Sequence, residues 1–148
     1  MCAQLSSPKG QRFSRWVFAA EKAGDLHAIS VTVLNPFEAG PEHVMAVDGI
    51  ILGTTENLGY MSGALKDCFD RTYYGVIGRK QCMPYAVYIR AGSDGTGTQK
   101  GIERIVTGLR WRAVQPPLMC RGPFDPTFTD QCAELGMAMA AGLEAGVI

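Results

Sequence analysis

The sequence is short of the features that mark nucleic-acid-binding, membrane and exported proteins. Its 14 basic and 14 acidic side chains give a formal charge of zero, so it lacks the broad basic field that attracts nucleic acid. No apolar run is long enough to cross a bilayer. Residues 1–10 contain no apolar segment behind a basic start, the pattern of a secretory signal. These absences predict a cytoplasmic protein with neither nucleic acid nor a membrane as partner.

Cysteine occurs in an odd number and without the C-x-x-C spacing that is typical of metal and redox sites. The five cysteines are Cys2, Cys68, Cys82, Cys120 and Cys132. Because each lies within an apolar pattern, we interpret them as reduced thiols that pack as small hydrophobic side chains. The sequence therefore predicts no disulfide and no metal site.

Length and periodicity predict one α/β domain over residues 1–148. The chain suits a single core, and no repeat or polar linker divides it. Apolar residues alternate between a helical period near 3.6 and a strand period of 2, which favours a doubly wound parallel sheet. Predicted helices lie at 13–23, 61–73, 102–109 and 126–143, and predicted strands at 29–33, 49–53, 85–89 and 113–120.

Three loops rich in glycine and hydroxyl side chains lie at 6–13, 54–63 and 91–97. Open doubly wound sheets bind ligands outside the carboxyl ends of their strands, where the strand order reverses. Glycine lets backbone N–H groups approach an anion or a flat ring closely. One such loop alone is most often only a turn, but three at successive strand ends predict a ligand site.

One of these loops carries a specific motif. Residues 53–66 read G-T-T-E-N-L-G-Y-M-S-G-A-L-K, and F-D-R follows at 69–71. The segment resembles the flavin-ring loop of flavodoxin-like NAD(P)H-dependent FMN reductases and quinone reductases, G-T-P-x-x-x-G-x-M-S-G-x-L-K. Residues 91–97 resemble the second ring-contacting loop of that family. The resemblance implies a flavodoxin-like three-layer α/β/α domain with a five-stranded parallel sheet of order 2-1-3-4-5.

The resemblance also implies FMN as cofactor and assigns residues to its two ends. The phosphate would lie near Ser6, Ser7, Gly10, Gln11 and Arg12. The ring would lie along Thr54, Thr55, Glu56, Asn57, Leu58, Gly59, Tyr60 and Met61, with Ala91, Gly92, Ser93 and Gly95 on its other side. Tyr60 would shield one ring face, or else be a surface aromatic at a helix entrance.

The chain departs from the family pattern in three places. Thr55 stands where the family has proline, and Gln11-Arg12 replaces the N-T of the phosphate loop S-x-S-G-N-T. Upstream of Ser6 only five weakly apolar residues remain for a first strand that is central in the family. We therefore expect a short or degenerate first strand and a phosphate loop that differs from the family's.

The implied function is an oxidoreductase that takes hydride from NAD(P)H through FMN to a quinone, free flavin or similar small-molecule acceptor. Because the flavin carries the chemistry, no catalytic acid or base is assigned. One alternative is a non-enzymatic FMN electron carrier, although carriers usually rely on strong charge for encounter. Another is a degenerate relative that no longer binds flavin. Family analogy implies a homodimer, with Tyr73 and Tyr74 as possible contacts.

Overall fold

The structure is a computed structural model that describes residues 2–3 and 29–148. In this part the strands are β1 (Cys2–Ala3), β2 (Val33–Leu34), β3 (Ile50–Asn57), β4 (Tyr60–Met61), β5 (Pro84–Ala91), β6 (Arg112–Ala113) and β7 (Leu118–Arg121). The helices are α1 (Pro41–Met45), α2 (Gly63–Val76), α3 (Thr96–Gly108) and α4 (Thr127–Glu144). The predicted helix at 13–23 and phosphate loop at 6–13 lie outside the described residues. None of the described helices combines the length and the apolar character that a membrane span requires.

The strands form a mostly parallel sheet in the predicted order. β2 pairs with β1, β1 with β3, and β3 with β5, while β6 and β7 both pair with β5 as its outer neighbours. When β6 and β7 are taken as two parts of one fifth strand, the order is 2-1-3-4-5. The expected short first strand is confirmed, because in the part of the chain that the structure describes β1 consists of Cys2 and Ala3.

Three strand predictions were wrong in their bounds. The predicted strand at 49–53 continues as β3 to Asn57, through residues that were predicted as loop. Among the described residues, the predicted strand at 29–33 is a strand only at Val33–Leu34, where it pairs with Cys2 and Ala3. The predicted strand at 113–120 is divided into β6 and β7, with Pro116 and Pro117 between them. Each proline lacks the N–H that a ladder needs, so pairing stops and starts again.

The sheet is covered on both faces, as a central parallel sheet requires. Along β5, Val87 and Ile89 face a core built with residues of α2 and α3, while Tyr88 faces a second cluster with Cys120 and Cys132 of β7 and α4. Successive residues of a strand point to opposite faces. The three-layer α/β/α arrangement follows from this alternation.

Glycine is required at position 53 because of this second cluster. A Cβ atom at Gly53 would overlap the ring of Tyr88 on the neighbouring strand, and Tyr88 is itself buried. The motif glycine therefore makes room for a core aromatic side chain.

Four of the cysteines, Cys68, Cys82, Cys120 and Cys132, are free thiols, but one prediction about them was wrong. Cys68, Cys120 and Cys132 are buried, as expected, whereas Cys82 is exposed. Cys82 has a positive φ of 60° in the turn before β5, and its N–H donates to the carbonyl of Arg110 at 2.8 Å. That turn carries the side chain away from the core.

Candidate functional site

The first predicted ring loop is a β-hairpin. We call residues 54–61 the hairpin loop. The antiparallel pairs Glu56–Met61 and Asn57–Tyr60 leave Leu58 and Gly59 as a two-residue turn. Both turn residues have positive φ, 54° and 74°, which is the signature of a type I′ turn. The sequence predicted a loop at these residues and no hairpin, because leucine is unusual at the first position of such a turn.

Side-chain hydrogen bonds close the base of the hairpin loop. The hydroxyl of Thr54, only 2% exposed, donates to the carbonyl of Thr55 at 2.9 Å and accepts the N–H of Ser62 at 3.1 Å. The hydroxyl of Ser62 in turn accepts the N–H of Leu65 at 3.3 Å and caps α2. Both hydrogen bonds of the Thr54 hydroxyl are therefore made within the protein, and they connect β3 to the start of α2.

The second predicted ring loop connects β5 to α3 and is held both by a bond within it and by bonds from other elements. We call residues 91–97 the glycine loop. Asp94 accepts the N–H of Thr96 at 2.9 Å, and Arg121 donates to the carbonyl of Asp94 at 2.9 Å. Hydrogen bonds from the backbone and then the hydroxyl of Thr96 hold the pKa of Asp94 below its usual value, with a smaller contribution from Arg121. An ionised Asp94 thus stabilises the first turn of α3.

A single carboxylate joins the two loops. Oε2 of Glu56 accepts the N–H of Ser93 at 2.8 Å, and Oε1 accepts the N–H of Gly95 at 3.1 Å. Gly95 has a positive φ of 74°, which turns its N–H toward the same carboxylate as that of Ser93. Two backbone donors of the glycine loop therefore converge on one anionic group.

Two close backbone approaches support the same contact. A Cβ atom at Gly97 would overlap the carbonyl oxygen of Gly59, and one at Gly101 would overlap the ring of Tyr60. Glycines one helical turn apart on α3 thus provide the surface on which the hairpin turn lies. Tyr60 rests its ring on this surface and remains 40% exposed.

The structure brings the predicted ring residues together at the carboxyl ends of β3 and β5. Asn57, Leu58, Gly59, Tyr60, Gly92 and Ser93 are exposed, Thr55 and Glu56 are half-buried, and Thr54, Met61, Ala91 and Gly95 are buried. The predicted phosphate residues Ser6, Ser7, Gly10, Gln11 and Arg12 lie outside the described residues.

Sequence reasoning missed several residues that build the site. Gly97 and Gly101 receive the hairpin, and Ser62, Asp94 and Arg121 anchor the loops. The spacing G-x-x-x-G in a helix was a visible signal of close backbone packing. Arg121 gave no local signal, because its partner lies 27 residues away.

The donors of the glycine loop suit one edge of a flavin ring. The pyrimidine edge of isoalloxazine presents neighbouring nitrogen and oxygen acceptors, and backbone N–H groups are the donors that such acceptors take. Ser93 and Gly95 already hold two carboxylate oxygens in this way. The chemistry of the donor set therefore fits the ring, provided that Glu56 leaves it.

A cavity of about 760 Å³ lies at the opposite end of the strands, so it is separate from these loops. Its lining includes Gly49 and Pro84 near the starts of β3 and β5, together with Met139 and Leu143 of α4.

Comparisons with known proteins identify the architecture. No protein-family model matches the chain, and no curated protein matches it. Among solved structures, a flavodoxin from the domain Archaea is 14% identical, with 97% of this chain and 96% of that one covered at a TM-score of 0.79.

Two further structures agree. The two-electron reduced Megasphaera elsdenii flavodoxin is 13% identical, with 95% and 97% covered and a TM-score of 0.74. An oxidoreductase from Corynebacterium diphtheriae is 17% identical, with 94% and 91% covered and a TM-score of 0.66. At such identities the likeness concerns the fold. The strand order, the two covered faces and these matches together show that the chain has the flavodoxin-like α/β fold.

Proposed function

We propose that the chain binds the isoalloxazine ring of FMN at the hairpin loop and the glycine loop and uses it to transfer electrons. The observation that carries this proposal is the convergence of the Ser93 and Gly95 N–H groups on one pair of oxygens. The two loops lie at the carboxyl ends of β3 and β5, and this edge of an open α/β sheet is where ligands bind.

FMN, when bound, supplies the hydride and electron-transfer chemistry. The chain itself binds and orients the ring. The N–H groups of Ser93 and Gly95 donate to its polar edge, and Tyr60 offers a partly exposed aromatic surface beside it. The phosphate is proposed to lie near Ser6 and Arg12 and their neighbours, outside the described residues.

The proposed reaction is hydride transfer from NAD(P)H through the flavin to a quinone, free flavin or similar acceptor. Its support is the resemblance of residues 53–71 to the NAD(P)H-dependent FMN reductases. The alternative is an electron carrier without a substrate of its own. The likeness to flavodoxins supports this alternative. The formal charge of zero weighs against the carrier, since charge is what speeds encounter with a protein partner.

Titration of purified protein with FMN tests the cofactor, followed by flavin fluorescence and the visible spectrum. We expect saturable one-to-one binding in the wild type and loss of binding in Gly95→Ala, because a Cβ there would overlap Met119 and the backbone has positive φ. Gly146→Ala is the matched control, since its backbone also has positive φ, but it lies beyond the end of α4, outside the two loops, where a Cβ meets open space. Failure of wild-type protein to bind FMN would refute the proposal.

Mixing the FMN-loaded protein with NADH or NADPH without oxygen separates the two functions. Direct bleaching of the flavin spectrum supports the reductase. A flavin that only dithionite reduces supports the carrier.

A further inference from the structure

The Glu56 carboxylate and a flavin ring require the same donors. Glu56 accepts from both Ser93 and Gly95, and the proposed ring site uses those two N–H groups for its polar edge. A backbone N–H aimed at one acceptor is not free for another of comparable geometry. The ring and the carboxylate therefore exclude each other from this donor pair.

The contact is also one that a neutral ring cannot easily displace. Hydrogen bonds to an ionised carboxylate are about twice as strong as those between neutral groups. The two bonds are made by one side chain on a paired strand, so little further ordering is needed to form them. An incoming ring must break both before it gains its own.

Both loops have anchors other than Glu56. The hairpin is fixed by its own pairing and by the Thr54–Ser62 bond, and it rests on the glycines of α3. The glycine loop is anchored separately, by the Arg121 bond to Asp94 and by the capping bond to Thr96. Removal of the carboxylate should thus free the donors and leave the loops in place.

We propose that Glu56 is an internal competitor for the flavin ring, whose carboxylate closes the donor pair in the cofactor-free protein and must swing away for the ring to bind. This inference rests on the proposed function and adds a regulation of the same site. It predicts that the side chain lowers flavin affinity and slows flavin entry.

Lumiflavin and riboflavin are the probes, because they carry the ring without the phosphate and so report the described loops alone. We expect Glu56→Ala to bind lumiflavin about tenfold more tightly than the wild type, the gain expected when a charge-assisted hydrogen bond no longer has to be broken. Glu56→Gln, which keeps one amide acceptor, should lie between them. Glu134→Gln makes the same charge change on the exposed surface of α4 and should leave affinity unchanged.

A kinetic measurement separates competition from a general loosening of the structure. In stopped-flow fluorescence, the observed rate for the wild type should level off at high lumiflavin, because departure of Glu56 limits entry. In Glu56→Ala it should rise linearly over the same range. Amide hydrogen exchange of the cofactor-free proteins should show Ser93 and Gly95 protected in the wild type and unprotected in the variant.

The outcomes distinguish this inference from the proposed function. If the wild type and Glu56→Ala both bind flavin and the variant binds no more tightly, Glu56 has only a structural role in the site and the competitor role is refuted. Unchanged protection of the Ser93 and Gly95 amides would refute it as well. If neither protein binds lumiflavin, riboflavin or FMN, the proposed function fails and the competitor role fails with it.

Discussion

The hairpin loop and the glycine loop lie side by side at one edge of the sheet, yet they are held in different ways. The hairpin loop is built from within, by strand pairing and by the buried hydroxyl of Thr54. The glycine loop has one bond of its own, the Asp94 cap, and its other anchors come from Glu56 of the hairpin loop and Arg121 of β7. Bonds supplied by other elements can be exchanged for bonds to a ligand, so the glycine loop is the one that a ligand can compete for.

The largest expected effect comes from the backbone contact between the two loops. Gly97→Ala places a Cβ against the carbonyl of Gly59, and backbone cannot yield as a side-chain tip does. We expect a loss of about 2–3 kcal/mol in the free energy of unfolding, read from urea denaturation. Gly63→Ala, also in the first turn of a helix but in open space, should be neutral or slightly stabilising. Equal effects of the two would refute the close approach.

The internal anchoring of the hairpin loop is tested by Thr54→Val, which keeps the shape and removes the hydroxyl. Ser62 is buried, and among the described residues its N–H donates to the Thr54 hydroxyl, so the substitution would leave this N–H without its acceptor. We expect a loss of about 1–3 kcal/mol in unfolding free energy. Calorimetry should show the melting temperature lowered by about 2–4 °C per kcal/mol. A melting temperature equal to the wild type would mean that the hydroxyl does not hold the hairpin.

The turn of the hairpin offers a change in the opposite direction. Leu58 is fully exposed with φ at 54°, a conformation that costs leucine about 1–2 kcal/mol and that asparagine tolerates. Leu58→Asn should therefore raise the free energy of unfolding, by about 0.5–1 kcal/mol, a part of that backbone cost. Leu58→Ala is the control that removes the same apolar surface without relieving the backbone. A stability gain shared by both variants would point to exposure rather than backbone strain.

The smallest expected effect is a pH dependence in the glycine loop. Hydrogen bonds from Thr96 lower the pKa of Asp94 in the folded state, so its contribution to stability is complete above the unfolded value. It is lost as the pH falls through that value, about 3.9, toward the folded one. Urea midpoints between neutral pH and acid should fall less steeply in Asp94→Ser, which keeps a capping hydroxyl without the charge. Superimposable pH profiles would contradict this role.

Sequence reasoning predicted the fold because the signals for it are local. The apolar strand before residue 54 and the amphipathic α2 each follow from periodicity within a short window. The family motif then supplied the strand order, which no single-chain periodicity contains. β4 was missed because Leu58-Gly59 lacks the asparagine or aspartate that usually marks a type I′ turn.

The arrangement of the site was harder to predict because its contacts are not local. Glu56 was expected along the ring on account of the motif, yet its partners Ser93 and Gly95 stand 37 and 39 residues away. No pattern near Glu56 indicates that its carboxylate bridges the loops. Likewise, the exposure of Cys82 depends on a turn conformation that apolar neighbours in the sequence do not reveal.

The pairing of Gly53 with Tyr88 constrains how this protein can change over evolutionary time. The two positions share one volume across neighbouring strands, so a side chain at 53 is tolerated only after the residue at 88 has become smaller. The order of the two mutations is thereby fixed, since the reverse order passes through an overpacked core. Relatives that keep an aromatic residue at position 88 should all keep glycine at position 53, whatever cofactor or acceptor they use.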